Sequence, residues 1–304
     1  MKTISFVIPN YNGAEILQQN LPIVLQYAQK YNAQVIIVDD ASTDDSVRII
    51  VEKFPHVLLI KKPQNDGFSS TVNLGVKNAT TELVCLLNSD IIPSQDFLDP
   101  LLDYFNDPQT AAVGMMDLSD DEDTHGRGKF IFHEGFLLHD KLAKDKTLES
   151  GLTGWVSCGS GLFSKKIWDE LGGLDELLNP FYFEDVDYGY RAWKAGYKMH
   201  FEKKAIVEHI HKKGAIKSNY DEQRIKTIVY RNQFIFSWKN LSTISLIIKH
   251  MLMLPINLTK AIINSDKPML EGFINALKKL PVVLQKKSGQ QKLTDIQIIE
   301  MFNE

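Results

Sequence analysis

Short apolar runs alternate with helix-period segments over the first hundred residues. Residues 4–8 form a β-branched apolar run that stops at Pro9-Asn10-Tyr11-Asn12-Gly13, a buried strand followed by a loop. A helical period follows to about Tyr31. Residues 35–38 predict a second strand, ending on Asp39-Asp40. Ser42 or Thr43 is expected to cap the next helix, with Asp44 and Asp45 at the positive end of its dipole. Residues 57–60 read as a third strand. Residues 68–78 read as a helix opened by Asn65-Asp66-Gly67, and residues 83–87 as a fourth strand running into Asn88-Ser89-Asp90.

Strands that alternate with helices imply right-handed βαβ units, a mostly parallel sheet flanked by helices and an α/β fold. Ligands of such sheets bind at the carboxyl ends of the strands. Here those ends carry Pro9-Asn10-Tyr11, Asp39-Asp40 and Asn88-Ser89-Asp90. The middle of the chain reads differently. Residues 117–123 are acidic and read as a loop, 129–138 as one strand, and 155–163 as a glycine-containing strand. A short helix over 164–171 ends at Gly172-Gly173 and another over 184–195 ends at Gly196. Residues 197–201 and 205–209 read as two short strands, and from about Arg224 the pattern is helical. The expected division is a catalytic domain over 1–222, with halves of about 1–115 and 116–222, and a helical extension over 223–304.

An apolar share of 44% supports a sizeable core, and a net charge of −4 gives no basic field to attract nucleic acid. Cys85 and Cys158, the two cysteines, are too few for a disulfide framework and read as small buried residues. The N-terminus lacks the pattern of a cleaved signal. The longest apolar stretch, 244–263, is interrupted by Lys249, His250, Pro255 and Lys260, so it does not read as a span of about 18 apolar residues. The expectation is a cytoplasmic protein, free or resting on the inner face of the cell membrane.

Four groups carry candidate chemistry. Asp90, closing a strand, offers the oxygen ligand that Mg2+ and Mn2+ prefer, although an aspartate in a turn is common. Asp39 can accept from a nucleobase imide or simply serve a turn. Glu184, Asp185 and Asp187 follow the aromatic run Phe181-Tyr182-Phe183. An acid near apolar rings has a raised pKa and can act as a base, whereas acids at a helix start also serve the dipole. His209 and His211 share one face of an extended segment and offer metal or phosphate ligands, with Lys212, Lys213 and Lys217 beyond them.

The order and spacing of these groups resemble a family 2 glycosyltransferase with a GT-A (Rossmann-like) fold, especially its rhamnosyltransferase-like branch. The resemblance runs from Val7-Ile8-Pro9-Asn10-Tyr11-Asn12 through Val38-Asp39-Asp40-Ala41-Ser42-Thr43-Asp44 to Asn65-Asp66-Gly67-Phe68 with Asn73 and Gly75. It continues through Leu87-Asn88-Ser89-Asp90, Gly159-Ser160-Gly161, Gly172-Gly173-Leu174-Asp175-Glu176 and Phe183-Glu184-Asp185-Val186-Asp187. Arg191, Gly196-Tyr197 and Val207-Glu208-His209 complete it.

The resemblance implies that Pro9, Tyr11 and Asp39 line a nucleotide pocket, that Asn65, Gly67 and Asn73 shape its wall, and that Asn88, Ser89 and Asp90 meet the donor diphosphate. It makes Asp90 and His209 the ligands of Mg2+ or Mn2+, with His211 as a rival. Trp155, Gly159, Gly161 and Glu184 fall on the acceptor side and Asp185 becomes the catalytic base. The implied reaction is inverting transfer from a dTDP- or UDP-sugar to a glycan or lipid-linked acceptor, in bacterial cell-surface polysaccharide synthesis. Asn88 stands where the family commonly has an aspartate, which weakens the metal motif.

In the extension, apolar segments alternate with Lys249, Lys260, Lys278, Lys279, Lys286 and Lys287. Such faces suit a membrane interface, the catalytic domain or a second subunit in a homodimer. Two other functions compete. A sugar nucleotidyltransferase needs a glycine-rich basic loop after the first strand, and Asn10-Tyr11-Asn12-Gly13-Ala14-Glu15 is not one. A non-catalytic carbohydrate- or partner-binding protein has no need of Asp90 and the acidic cluster.

Overall fold

A computed structural model describes residues 2–119, 126–142, 148–209, 220–286 and 291–302. Strands β1 (Ile4–Asn10), β2 (Gln34–Asp39), β3 (Leu58–Lys61) and β4 (Leu83–Leu87) are parallel, in the order β3-β2-β1-β4. The sheet continues from β4 through β10 (Ser160–Ser164), β6 (Thr110–Ser119), β11 (Lys198–His209) and β5 (Ile91–Pro93). Only β10, β5 and β9 (Gly151–Leu152), which pairs with β11, run against the other strands. A separate hairpin joins β7 (Gly128–His133) to β8 (Phe136–Lys141).

The twofold period of the strands divides the core. Phe6, Ile8, Ile37, Cys85 and Leu87 face helices α1 (Ala14–Lys30), α2 (Ser46–Lys53) and α4 (Asp99–Leu102). Val7, Ile36, Val38, Val84 and Leu86 face α3 (Phe68–Asn78), α5 (Lys165–Leu171) and α6 (Glu184–Lys194). Both faces of the central strands are covered, which is why they read as unbroken apolar runs. Gly75 lets α3 approach β1, since a Cβ there would lie 2.3 Å from Val7 Cγ1.

Helices α7 (Glu222–Asn240), α8 (Ile244–Ile263), α9 (Lys267–Gln285) and α10 (Asp295–Glu300) close the chain. Phe234, Phe236, Ala276, Val283 and Ile298 join the same core as Val7 and Leu86. Lys194 Nζ pairs with Asp295 at 2.6 Å, tying α6 to α10. Helix α8 is continuous through Pro255 and, by length and composition alone, apolar enough to cross a membrane. The interruptions expected to break that stretch do not break the helix.

Several local expectations change. Ser42 and Thr43 do not cap α2, which begins after Asp45; Asp44 instead accepts from Ala14 N at 2.9 Å and serves the start of α1. The segment expected as one strand over 129–138 turns back at Glu134-Gly135, both with positive φ. Of 155–163, only the part from Ser160 is strand. The two short strands expected over 197–201 and 205–209 are one strand, β11, which begins at Lys198 and whose register shifts between Glu202 and Ile206. Asp117, expected in a loop, sits on β6 because non-local pairing with Val207 holds it there. His211, Lys212, Lys213, Lys217 and Lys287 lie outside the described residues.

Candidate active site

The carboxyl ends of β1, β2 and β4 lie side by side, with Asn10 in register with Asp39. Asp39 is 1% exposed. Its carboxylate accepts from Asn10 Nδ2 at 2.8 Å, Ser42 N at 2.9 Å and the Ser42 hydroxyl at 2.6 Å. A carboxylate has about four acceptor positions, so three are engaged by protein and one is left for a ligand donor. Thr43 N donates to Asn12 Oδ1 at 2.7 Å, lacing the two strand-end loops together. Pro9 and Tyr11 are half-buried at this edge, and Asn65 is exposed.

Asp40, which the sequence reading did not single out, anchors the next loop. It pairs with Lys62 at 2.6 Å and accepts from Asp66 N at 3.1 Å and Gly67 N at 3.0 Å. Gly67 has φ 93, and a Cβ on it would lie 2.9 Å from Pro180 Cα. It thus brings residues 65–67 against the segment ahead of the acidic cluster. Asn73 faces away from that loop: its amide donates to Leu174 O and accepts from Leu174 N, both at 2.9 Å. Its bonds clamp residues 173–176, so its contribution to a nucleotide wall is indirect.

Past β4, Asn88, Ser89 and Asp90 are each half-buried. A Cβ on Gly159 would lie 2.4 Å from Asn88 Nδ2, and one on Gly161 would lie 2.4 Å from Val156 Cγ1. The resemblance has these acceptor-side glycines let the backbone approach the donor sugar. The structure fills the space beside them with protein, and they bring residues 156–159 against Asn88.

Asp90 Oδ2 faces His209 Nε2 at 3.2 Å, and His209 Nδ1 lies 3.1 Å from Asp117 Oδ2. Burial alone would lower the imidazole pKa, but Asp117 and Asp90 reverse this and raise it to about 9. Asp117 is a candidate site residue that the sequence reading missed. Among the described residues no group of three or more metal-binding side chains occurs. One carboxylate and one imidazole nevertheless suit Mg2+ or Mn2+ whose remaining ligands come from a diphosphate. A carboxylate on the far nitrogen of a ligating histidine is the usual orienting arrangement.

The acidic cluster opens α6. Tyr182 and Phe183 before it have φ 69 and 73, a left-handed backbone that costs non-glycine residues about 1–3 kcal/mol each. Asn232 of α7 holds this bend, its Nδ2 lying 2.7, 3.0 and 2.8 Å from the carbonyls of Leu178, Phe181 and Tyr182. Burial raises the carboxyls of both Glu184 and Asp185, and the Asp185 charge raises Glu184 further. Glu184 Oε2 is buried without a hydrogen-bond partner among the described residues, while Asp185 Oδ1 accepts from Val186 N at 2.8 Å.

Asp187 differs. It is fully buried and meets Lys239 at 2.6 Å, Arg191 at 2.8 Å and Asn240 at 2.8 Å. Burial would raise its pKa, but Lys239 and Arg191 hold it below the ordinary range. Beside the acids, Trp155 meets the His139 ring at 4.9 Å, and His139 meets Phe183 at 5.3 Å. His139 is exposed and was not anticipated from sequence.

The model of Glycosyl transferase family 2 matches residues 5–171, more than half of the chain. The chain belongs to glycosyl transferase family 2. It is 27% identical over 218 residues to the pre-mycofactocin glycosyltransferase of Mycobacterium tuberculosis, covering 69% of this chain and 43% of that protein. It is 26% identical over 218 residues to the O-antigen chain rhamnosyltransferase WbaN of Salmonella anatum, covering 69% and 67%. The chain therefore matches less than half the length of the first relative.

Among solved structures, GalNAc-T7 with UDP, GalNAc and Mn2+ superposes with TM-score 0.62 at 16% identity, covering 78% of this chain and 47% of that one. The mannosyltransferase PcManGT of Pyrobaculum calidifontis with GDP-Man and Mn2+ gives 0.55 at 17%, covering 91% and 86%. At those identities the likeness establishes the GT-A fold. Asp39, Asp90 and Asp185 all lie on this GT-A fold.

Proposed function

We propose that the protein transfers a sugar, with inversion, from a nucleoside-diphosphate sugar to a hydroxyl of a glycan or lipid-linked glycan, in bacterial cell-surface polysaccharide synthesis. The observation that carries the reading is the contrast within α6: Asp187 is neutralised by Lys239 and Arg191, whereas Glu184 and Asp185 have raised pKa values from burial. A carboxylate so raised is a better proton acceptor.

Asp185 takes the acceptor hydroxyl proton as the oxygen bonds to the anomeric carbon. The bond to the diphosphate oxygen breaks on the opposite face and the nucleoside diphosphate leaves. Asp39 receives the nucleobase, and Asn88 and Ser89 lie along the diphosphate. Asp90 and His209 would hold Mg2+ or Mn2+, which when bound offsets the leaving group's charge. Glu184, Trp155 and His139 face the acceptor. A dTDP- or UDP-sugar is the proposed donor class, in keeping with the similarity to a rhamnosyltransferase and to GalNAc-T7 solved with UDP.

The test is a panel of nucleotide sugars, read by nucleoside diphosphate release with Mn2+ present. Asp185→Asn should lower transfer by about 10²–10⁴-fold while donor binding persists. Wild-type turnover in that variant refutes the base. Binding of a donor without turnover, in any acceptor mixture, favours a carbohydrate-binding role instead.

A further inference from the structure

Helix α8 has two faces of opposite character. Its inner face is pinned to the β7–β8 hairpin: His250 Nδ1 lies 2.7 Å from the Gly135 carbonyl, and Asn257 Nδ2 donates to the Glu134 carbonyl at 2.7 Å. His250 Nε2 also accepts from Trp238 Nε1 at 2.9 Å. On the outer face Ile244, Ile248, Met251, Leu252, Ile262 and Ile263 are 54–75% exposed. At helical spacing these six fall within one arc of about 120° that holds no charged residue. Among the described residues nothing covers it.

Charge borders this arc on one side. Lys249 and Lys260 are exposed next to it, Lys260 also meeting Glu134 at 3.0 Å. From Ile244 to Lys286 the chain carries six lysines against Asp266 and Glu271, although the whole chain is net −4. An apolar face bordered by lysines matches an anionic membrane surface, where the stems lie along hydrocarbon and the ammonium groups reach the headgroups. A second copy of the chain would bring like charges together along the same borders. Spanning is disfavoured because His250 and Asn257 are already bound to the hairpin and would otherwise enter hydrocarbon.

We infer that α8 lies in the plane of an anionic lipid bilayer, its outer face among the headgroups and upper acyl chains. This placement reaches the acceptor side through one rigid connection. The turn that grips His250 and Asn257 leads into β8, and β8 carries His139 beside Trp155 and Phe183. An acceptor anchored in the same bilayer is thereby presented to the acidic cluster. This last consequence rests on the proposed function; the membrane contact does not.

The test is co-sedimentation of the full chain with vesicles of phosphatidylcholine alone and of phosphatidylcholine mixed with phosphatidylglycerol. The mixed vesicles should bind the protein, and binding should weaken as salt rises. The double variant Ile248→Glu/Met251→Glu should weaken it at least about tenfold, and Lys249→Gln about fivefold. Circular dichroism melting and donor hydrolysis in solution should stay at wild-type values, separating lost docking from lost folding and from failure of the catalytic reading. Absence of binding to anionic vesicles overturns the inference. So does a concentration-dependent dimer that Met251→Glu dissociates, which would assign the face to a second copy.

Discussion

The strand-end edge and the acidic bend ahead of α6 both present carboxylates, but they are built by opposite means. At the edge, Asp39 is satisfied by Asn10 and Ser42, from the same strand ends and loops. At the bend, a left-handed backbone at Tyr182 and Phe183 is held by Asn232, and Asp187 by Lys239, both from a helix about fifty residues on. The first region keeps its acids satisfied. The second separates adjacent acids, neutralising one and leaving two that resist ionisation. Proton-transfer chemistry needs the second kind of construction, because an acid already fully paired is a poor base.

The separation can be broken most directly at Asp185. Activity against pH should fall on the acid side at a pH above the ordinary aspartate value of about 3.9, since the raised carboxyl must ionise before it can accept a proton. In Asp185→Asn that limb should vanish along with about 10²–10⁴ of the rate. Fold stability should follow the opposite sign. Asp175 and Asp187 have folded pKa values below their unfolded ones, so their contribution is present above about pH 3.9 and is lost as pH falls through the depressed values. Acid inactivation should therefore precede acid unfolding, as activity and circular dichroism titrations would reveal.

Lys239→Met probes the neutralised half. It leaves Asp175 and Asp187 without their shared buried cation and should cost about 3–5 kcal/mol in chemical denaturation. Asp185→Asn, by contrast, should leave stability unchanged or higher, because burial there disfavours the charge it removes. At the donor edge, Asp117→Asn should weaken Mn2+ binding about 10–100-fold in calorimetry with a nucleoside diphosphate present. An unchanged affinity would mean that His209 needs no orienting partner. Asn232→Ala should have the smallest effect, about 1–3 kcal/mol, measured as lost stability with a lower kcat and an unaltered donor Kd.

Much of the N-terminal half was legible because its causes are local. Helix α3 begins and ends where the sequence places it, since Gly67 supplies the positive φ at its start and an apolar period follows. Strand β4 is an unbroken apolar run because both of its faces are covered. The turn at Glu134-Gly135 was missed because the apolar pattern resumes at once on its far side. Residues 202–204 of β11 are charged, as a turn would be, yet remain in the strand because β6 runs beside them on both sides of the irregularity.

By itself the sequence determined the parallel α/β core, the polar strand ends and the position of three acids after an aromatic run. Those follow from side-chain period and from turn residues, which act within a few positions. Only the tertiary structure decided which acid is neutralised, that Asp117 backs His209, that His139 and Trp155 flank the cluster, and which face of α8 is left uncovered. Those depend on desolvation and on partners brought from distant segments, and neither is encoded in local pattern.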